Sequence, residues 1–347
     1  MSKKVKWGVI GSGGIARRRT IPEGIVAADN AELVGTVDLN TKVNGEVAKE
    51  FGAKPFDSEK ALLESKDIDA VYLATPAITH HDQTLAAAAN SKHVLCEKPM
   101  GLTNEEAANM MNACKKAGVK LGVGFMMRFH AYHQEALRMV KEGKLGTLVL
   151  GRAQLSCWYP PIEGAWRQDP VQGGGGSLMD LGGHCIDLLE MFFGPVKTVS
   201  CRIGNLVQDY KSEDTATTLL EFEDGSQGVV DNLFNVPDAS VRNCLELYGS
   251  QGSILAEGTI GQAPDGTMVA HLEESGKEYN AQQQRDETGG LIISPEPINT
   301  YEAEIAEFSQ AILEDREPSN GAEEGARSTQ IIVACYESAR TGKVIEL

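Results

Sequence analysis

The apolar run at residues 5–11 enters Gly11-Ser12-Gly13-Gly14-Ile15-Ala16 and continues into a helix-compatible stretch. A strand that ends in G-x-G-x-x-A and opens a helix leaves few folds available. Its glycines permit a tight turn and let backbone N–H groups approach a pyrophosphate, which then meets the positive end of the helix. A glycine triplet alone is a weak signal. Here a second apolar run, residues 31–38, ends in Asp38, 22 residues beyond Ala16. That is close to the spacing at which an acid meets the adenosine ribose hydroxyls. An aspartate there repels a 2′-phosphate and favours NAD over NADP. The cations that could approach such a phosphate are Arg17, Arg18, Arg19 and Lys42, and the three arginines are expected to face solvent or the pyrophosphate edge.

The alternation continues. Helix-like stretches at 41–51, 78–90 and 103–118 separate strand-like runs at 69–76, 93–99 and 119–127. This rhythm predicts an α/β unit over residues 1–125, a Rossmann-type doubly wound parallel sheet whose ligands bind at the carboxyl ends of the strands. Thr75-Pro76 follows one such end and Glu97-Lys98-Pro99 the next. Pro99 stops its strand, because it cannot donate a ladder hydrogen bond. With 347 residues the chain exceeds what one core usually supports. From residue 126 the pattern changes to one helix at 131–143 and then many strand-like runs joined through glycine turns. An α+β domain over 126–347 is predicted, built on a large, mostly antiparallel open sheet.

Within that second part, residues 166–194 carry Trp166 and Arg167, a run of four glycines, and then Asp180 and His184 on an apolar stripe. Residues four apart share a helix face, so the carboxylate is placed to orient the imidazole. The plain structural alternative is a buried helix with one satisfied polar pair. The glycine run tilts the balance, since it lets another chain segment or a flat ligand approach closely.

Gly11 to Ala16, the Thr75-Pro76 turn with His80, and Glu97-Lys98-Pro99 together resemble the glucose-fructose oxidoreductase, inositol dehydrogenase and MocA family (Gfo/Idh/MocA). The second segment resembles that family's other signature, with Gly174, Gly175, Asp180, Gly182, His184, Ile186 and Asp187 in place, and the chain's final helix and strand resemble the family's last ones. The resemblance implies cofactor contacts from Gly11, Ser12, Gly13, Gly14, Ile15, Asp38, Thr75, Pro76, His80, Glu97 and Lys98. It implies a substrate site at Lys98, Asp180 and His184, with Arg128 close by, although Ala131 stands where the family often has a proline. Trp166 and Arg167 are candidates to line the nicotinamide or a substrate hydroxyl. A sugar, sugar derivative or cyclitol substrate is implied, as is a homodimer or homotetramer through paired open sheets.

Hydride transfer from a carbinol requires loss of the hydroxyl proton as the C–H bond breaks. His184 is expected as general acid/base with Asp180 as its orienting partner. Lys98 is expected to stabilise the developing alkoxide, held by Glu97. A lysine beside the charged nicotinamide could also serve as the base itself. Two other readings remain open: an NAD-retaining glycosidase of the same fold that works by transient oxidation and elimination, and a nucleotide-sensing module without chemistry.

Other features narrow the possibilities. A net charge of -17 argues against a nucleic-acid partner. The seven cysteines form an odd set without a C-x-x-C pair, so reduced thiols and no metal site are expected. The start of the chain lacks a signal-like apolar core and no window is long and apolar enough to span a membrane, which predicts a cytoplasmic protein. His81, His93, His130 and His133 are read as structural. The segment at 156–166, with Trp158 and Trp166, is read as a rigid apolar wall suited to a sugar face. A second loop, residues 260–274, has no assigned conformation.

Overall fold

Five of the six residues of Val5–Ile10 (β1) are buried, as a strand covered on both faces requires. In the computed structural model, which describes residues 3–273 and 290–347, β1 lies at the centre of a six-stranded sheet. Its other members are Ala31–Val37 (β2), Lys54–Pro55 (β3), Ala70–Leu73 (β4), His93–Cys96 (β5) and Leu121–Val123 (β6). The order is β3-β2-β1-β4-β5-β6, and every pairing is parallel. The strand order therefore reverses between β1 and β4, and the crevice of a doubly wound sheet opens at that point. The helices Thr41–Phe51, His80–Ala89 and Asn104–Ala117 fall where the sequence pattern places them. The first helix, Ala16–Ile25, is wound as a π-helix and contains Pro22.

The second sheet comprises Leu148–Ser156 (β7), Val196–Gly204 (β8), Thr215–Phe222 (β9), Gln227–Leu233 (β10), Cys244–Gly249 (β11), Gly252–Glu257 (β12), Thr267–Leu272 (β13), Leu291–Ile293 (β14) and Ile345–Glu346 (β15). Its order is β14-β13-β12-β11-β7-β10-β9-β8-β15. All pairs are antiparallel except β7 with β10. The helices Gly183–Phe193 and Ala322–Thr341 cover one face, burying Leu188, Leu189, Ile331 and Ile332 against Val199, Leu220 and Val230. The other face is open: along β9, buried residues alternate with exposed ones, and Leu219 points outward at 55% exposure. Within the unassigned 260–274 stretch, Thr267–Leu272 forms β13, paired to β12; Glu274 lies outside the described residues.

The chain then returns to the first sheet. Helix Thr300–Glu314 packs on it through Phe308, whose ring lies 5.7 Å from that of Trp7. Ser309 Oγ accepts a 3.1 Å hydrogen bond from Trp7 Nε1. Trp7 and Phe308 are fully buried, and burial of this kind contributes roughly 1.5–3 kcal/mol per side chain. Gly122 of β6 also bridges to Gly321, just before the last helix. The second half of the chain thus supplies one layer of the first sheet and joins both units beside β6.

Candidate active site

The turn after β1 is built for close approach. Gly11 has φ +83°, and a Cβ there would lie 2.8 Å from Ala74 O, so only glycine lets the ends of β1 and β4 meet. Gly14, at φ +51°, has no packing neighbour among the described residues within 4 Å of where a Cβ would be; that space lies open at the start of the first helix. The buried Ser12 hydroxyl bonds Asn44 Oδ1 at 3.1 Å. Gly13 N donates to Asp38 Oδ2 at 2.9 Å and Asn40 N to Asp38 Oδ1 at 2.8 Å. Each carboxylate oxygen keeps a lone pair for a further donor. Arg17 is held by Glu46 and Glu50 at 3.2 and 3.1 Å, Arg18 is exposed, and Arg19 pairs with Glu23 at 3.0 Å and donates to Gln262 O of the second unit. An open glycine turn at a helix start, with an acid at the end of β2, fits a dinucleotide.

The ends of β4 and β5 are tied by His80, whose Nδ1 lies 2.8 Å from Pro99 O and Nε2 3.0 Å from Thr75 O. Burial lowers its pKa, and a neutral imidazole can donate to just one of these carbonyls. His80 braces the strand ends, with both ring nitrogens facing the chain. The Lys98–Pro99 peptide is cis. Glu97 faces inward, where Oε1 accepts from Tyr72 Oη, which in turn accepts from Thr20 Oγ1 at 2.9 Å. Burial raises the Glu97 pKa, against the pull of Lys98. Its contact with Lys98 is to the backbone N, at 3.3 Å, and not to the ammonium.

The ammonium belongs to Asp180. Lys98 Nζ donates to Asp180 Oδ1 at 2.7 Å and to Asp180 O at 2.6 Å. Arg167 Nε donates to the same Oδ1 at 2.9 Å, and the Arg167 guanidinium stacks 4.1 Å from the Trp166 ring centroid. Burial opposes ionisation of Asp180, yet Arg167 and Lys98 outweigh it and hold the carboxyl far below its ordinary range. His184 sits within this group, 8% exposed and edge-on to Phe125 with ring centroids 6.1 Å apart. Burial first, and then the Lys98 charge, depress its pKa to about 3. Its Nδ1 has no hydrogen-bond partner among the described residues. The Asp180–His184 hydrogen bond expected from their spacing is replaced, because two cations from distant segments take the carboxylate.

Arg128 stands apart. Its Nε reaches Asp187 Oδ1 and Oδ2 at 2.9 and 2.8 Å, and one terminal nitrogen reaches Ser319 O at 3.3 Å. Burial pushes Asp187 up to about 6, but two short charge-assisted bonds keep the pair ionic at neutral pH. Arg128 lines a cavity of about 810 Å³ together with Lys141, Glu190, Glu323, Glu324 and Arg327. Lys98, Asp180 and His184 do not line it. Trp158 is 42% exposed, with its backbone N bonded to Asp238 at 2.7 Å. The histidines read as structural bond within the protein: His81 to Asp82, His93 to Lys120 N, His130 to Ala263 O and His133 to Met127 O.

Two groups escaped sequence reasoning. Buried Glu213 accepts through Oε1 from Gly176 N at 2.8 Å, Leu178 N at 3.0 Å and Tyr336 Oη at 2.8 Å. A Cβ on Gly175 would lie 1.8 Å from Tyr336 Oη, and one on Gly176 2.0 Å from Glu213 O. The glycine run therefore admits another chain segment, the first of the two reasons it could exist. Neither Glu213 nor Tyr336 lies in a recognisable motif, so no local signal marks them.

A doubly wound sheet with an open glycine turn, whose Lys98 meets Asp180, Arg167 and a neutral histidine from helical segments of the second unit, defines a dinucleotide-dependent oxidoreductase. Comparison with known sequences agrees. Residues 5–125 match the family model described as "Oxidoreductase family, NAD-binding Rossmann fold", and residues 133–255 match "GFO/IDH/MocA C-terminal domain". The chain belongs to the Gfo/Idh/MocA family and is an NAD(P)-dependent oxidoreductase. It is 30% identical to the 1,5-anhydro-D-fructose reductase of Ensifer adhaerens, over 99% of this chain and 98% of that one. To the D-xylose 1-dehydrogenase (NADP(+)) 2 of Haloferax volcanii it is 28% identical, over 98% and 99%. Among solved structures, the aldose-aldose oxidoreductase of Caulobacter crescentus superposes with a TM-score of 0.88 at 26% identity, over 99% of this chain and 100% of that one.

Proposed function

We propose that the protein transfers a hydride between NAD and the CH–OH or keto carbon of a sugar, sugar derivative or cyclitol. The observation that carries this reading is the Lys98–Asp180–Arg167 cluster with uncharged His184 beside it, at the carboxyl end of β5. The sugar class is supported by the relatives, which are named as acting on sugars. The turn 11–16 and Asp38 are the residues that would hold the dinucleotide, which would supply the hydride acceptor there. The rest falls to the chain. Lys98, fixed by both the carbonyl and the carboxylate of Asp180, points a cation at the reacting oxygen and favours the alkoxide. His184, neutral because it is buried and close to Lys98, is placed to accept the hydroxyl proton in the oxidation direction, provided that bound substrate and cofactor raise its basicity from about 3. Asp180 positions Lys98, and Arg167 locks Asp180 from its other side. NAD is favoured over NADP because Asp38 ends β2 beside the glycine turn, where an acid meets the ribose hydroxyls, and Arg17, one of the cations that could take a 2′-phosphate, is occupied by two glutamates.

The test is NADH formation with a panel of sugars and cyclitols, run with NAD and NADP in parallel. Lys98→Ala and His184→Ala are each expected to lower kcat by about 10²–10⁴-fold. Unaltered rates in both variants would defeat the assignment. A second reading, a retained cofactor serving a closed redox cycle such as glycoside elimination, draws on the contact between Arg19 and Gln262, which links the first helix to the second unit. Dinucleotide found bound after purification, with no net NADH formed, would favour it.

The open face of the second sheet is the proposed partner surface for a homodimer or homotetramer. Leu219 and Leu255, 55% and 36% exposed, lie on its strands, and apolar residues on a sheet face favour pairing. Light scattering is expected to give a dimer or tetramer mass, reduced by Leu219→Arg.

A further inference from the structure

The turn that carries the site is held in shape from outside the site. Lys98 is anchored by the backbone carbonyl of Asp180 as well as by its carboxylate, so any shift of the backbone at residue 180 moves both anchors together. That backbone follows directly from the glycine run: Asp180 N bonds Gly176 O at 2.9 Å, and Leu178–Gly182 forms a single π-turn that leads into helix Gly183–Phe193. Upstream, one carboxylate oxygen gathers the buried amides of Gly176 and Leu178, while Ser177 N donates to Glu213 O at 3.0 Å. A carboxylate at the start of a helical segment satisfies orphan donors and complements the positive end of the helix dipole. Tyr336, on the last helix, donates to the same oxygen and so sets the direction from which it approaches. The fit leaves no slack, because even a methyl group on Gly175 or Gly176 would overlap Tyr336 or Glu213.

The geometry points to Glu213, aided by Tyr336, as a positioning residue that holds the 176–178 bend and thereby fixes Asp180, His184 and, through Asp180, Lys98. This assignment rests on the hydride-transfer reading of those three residues. Neither Glu213 nor Tyr336 touches the reacting atoms. Their effect is to keep the cation and the imidazole within the small tolerance that transfer demands.

The experiment compares full-length wild type with Glu213→Ala, Glu213→Gln and Tyr336→Phe. It measures kcat, KM for the sugar, NAD dissociation constant, thermal unfolding, and the titration of the His184 imidazole by NMR. Glu213→Ala is expected to lower kcat by about 10–100-fold with NAD affinity unchanged, since a displacement of about 1 Å costs that much. Its His184 titration is expected to move upward from about 3 as water reaches the turn. Glu213→Gln, which keeps an oxygen acceptor for the two amides, should restore kcat to within about threefold, and Tyr336→Phe should lose about threefold, the size of one hydrogen bond. A folded Glu213→Ala protein with wild-type kcat and an unmoved His184 titration overturns the assignment. If Glu213→Ala does not fold, Tyr336→Phe decides: lower kcat at equal NAD affinity supports it, and unchanged kcat overturns it. A wild type that oxidises no sugar defeats the hydride-transfer reading separately, while the His184 titration still decides the role of Glu213.

Discussion

Two glycine-rich stretches frame the site, and they serve opposite ends. Around Gly14 the missing side chain leaves open space, with no packing neighbour among the described residues within 4 Å of a Cβ position. At Gly175 and Gly176 the missing side chains are replaced by Tyr336 and Glu213, 1.8 and 2.0 Å from the same construction. The first run keeps room for a ligand, and the second lets the protein close on itself. In composition they look alike. They differ in what the rest of the chain brings to them, so glycine content alone does not distinguish a binding turn from a packing joint.

The comparison can be broken most sharply at Gly176. Gly176→Ala places a methyl group against a backbone carbonyl that cannot rotate away. It is expected to destabilise the protein by about 3 kcal/mol or more, read as a fall in the thermal unfolding midpoint with loss of turnover. A near-native midpoint would show that the joint yields.

Acid titration sharpens the same contrast, because the filled joint keeps its neighbour dry. His184 is depressed from 6.5 to about 3, and His133, also buried, from 6.5 to about 3. In the unfolded chain both accept protons near 6.5, so the unfolded state gains as pH falls. Their contribution is fully present above about pH 6.5 and is lost progressively between there and pH 3, at about 1.4 kcal/mol per pH unit per histidine as an upper bound. Unfolding midpoints across that range should fall on acidification, and His184→Asn should flatten the slope, leaving the part due to His133 and to His80, His93 and His130, which burial also lowers. A slope untouched by the substitution would mean that His184 is hydrated.

The smallest effect is expected at the open turn. Gly14→Ala meets no neighbour, and its φ of +51° costs about 1 kcal/mol in stability. NAD affinity should drop by about tenfold as the methyl group enters the ligand's space. Isothermal titration beside thermal unfolding separates the two. A loss of stability larger than that of Gly176→Ala would reverse the assignment of the two runs.

Much of this was legible in the chain. Local rules placed β1 and its turn, Asp38 after β2, and Lys98 at the end of β5, since each depends on residues within a few positions. The pairing of Asp180 was misjudged: helical spacing offered His184, while the carboxylate went to Lys98, 82 residues away, and to Arg167. Arg128, expected near the substrate, has its guanidinium held by Asp187, a partner no local rule named.

The amino-acid sequence by itself determined which elements form and which chemical groups arrive at the crevice, because periodicity, turn chemistry and strand-ending prolines act over short range. Tertiary structure alone decided who pairs with whom. A buried charge takes whichever opposite charge the fold brings within about 3 Å, and a glycine admits whatever segment the fold lays against it. Glu213 and Tyr336, separated by 123 positions, meet at the glycine run only once both sheets and the last helix have packed.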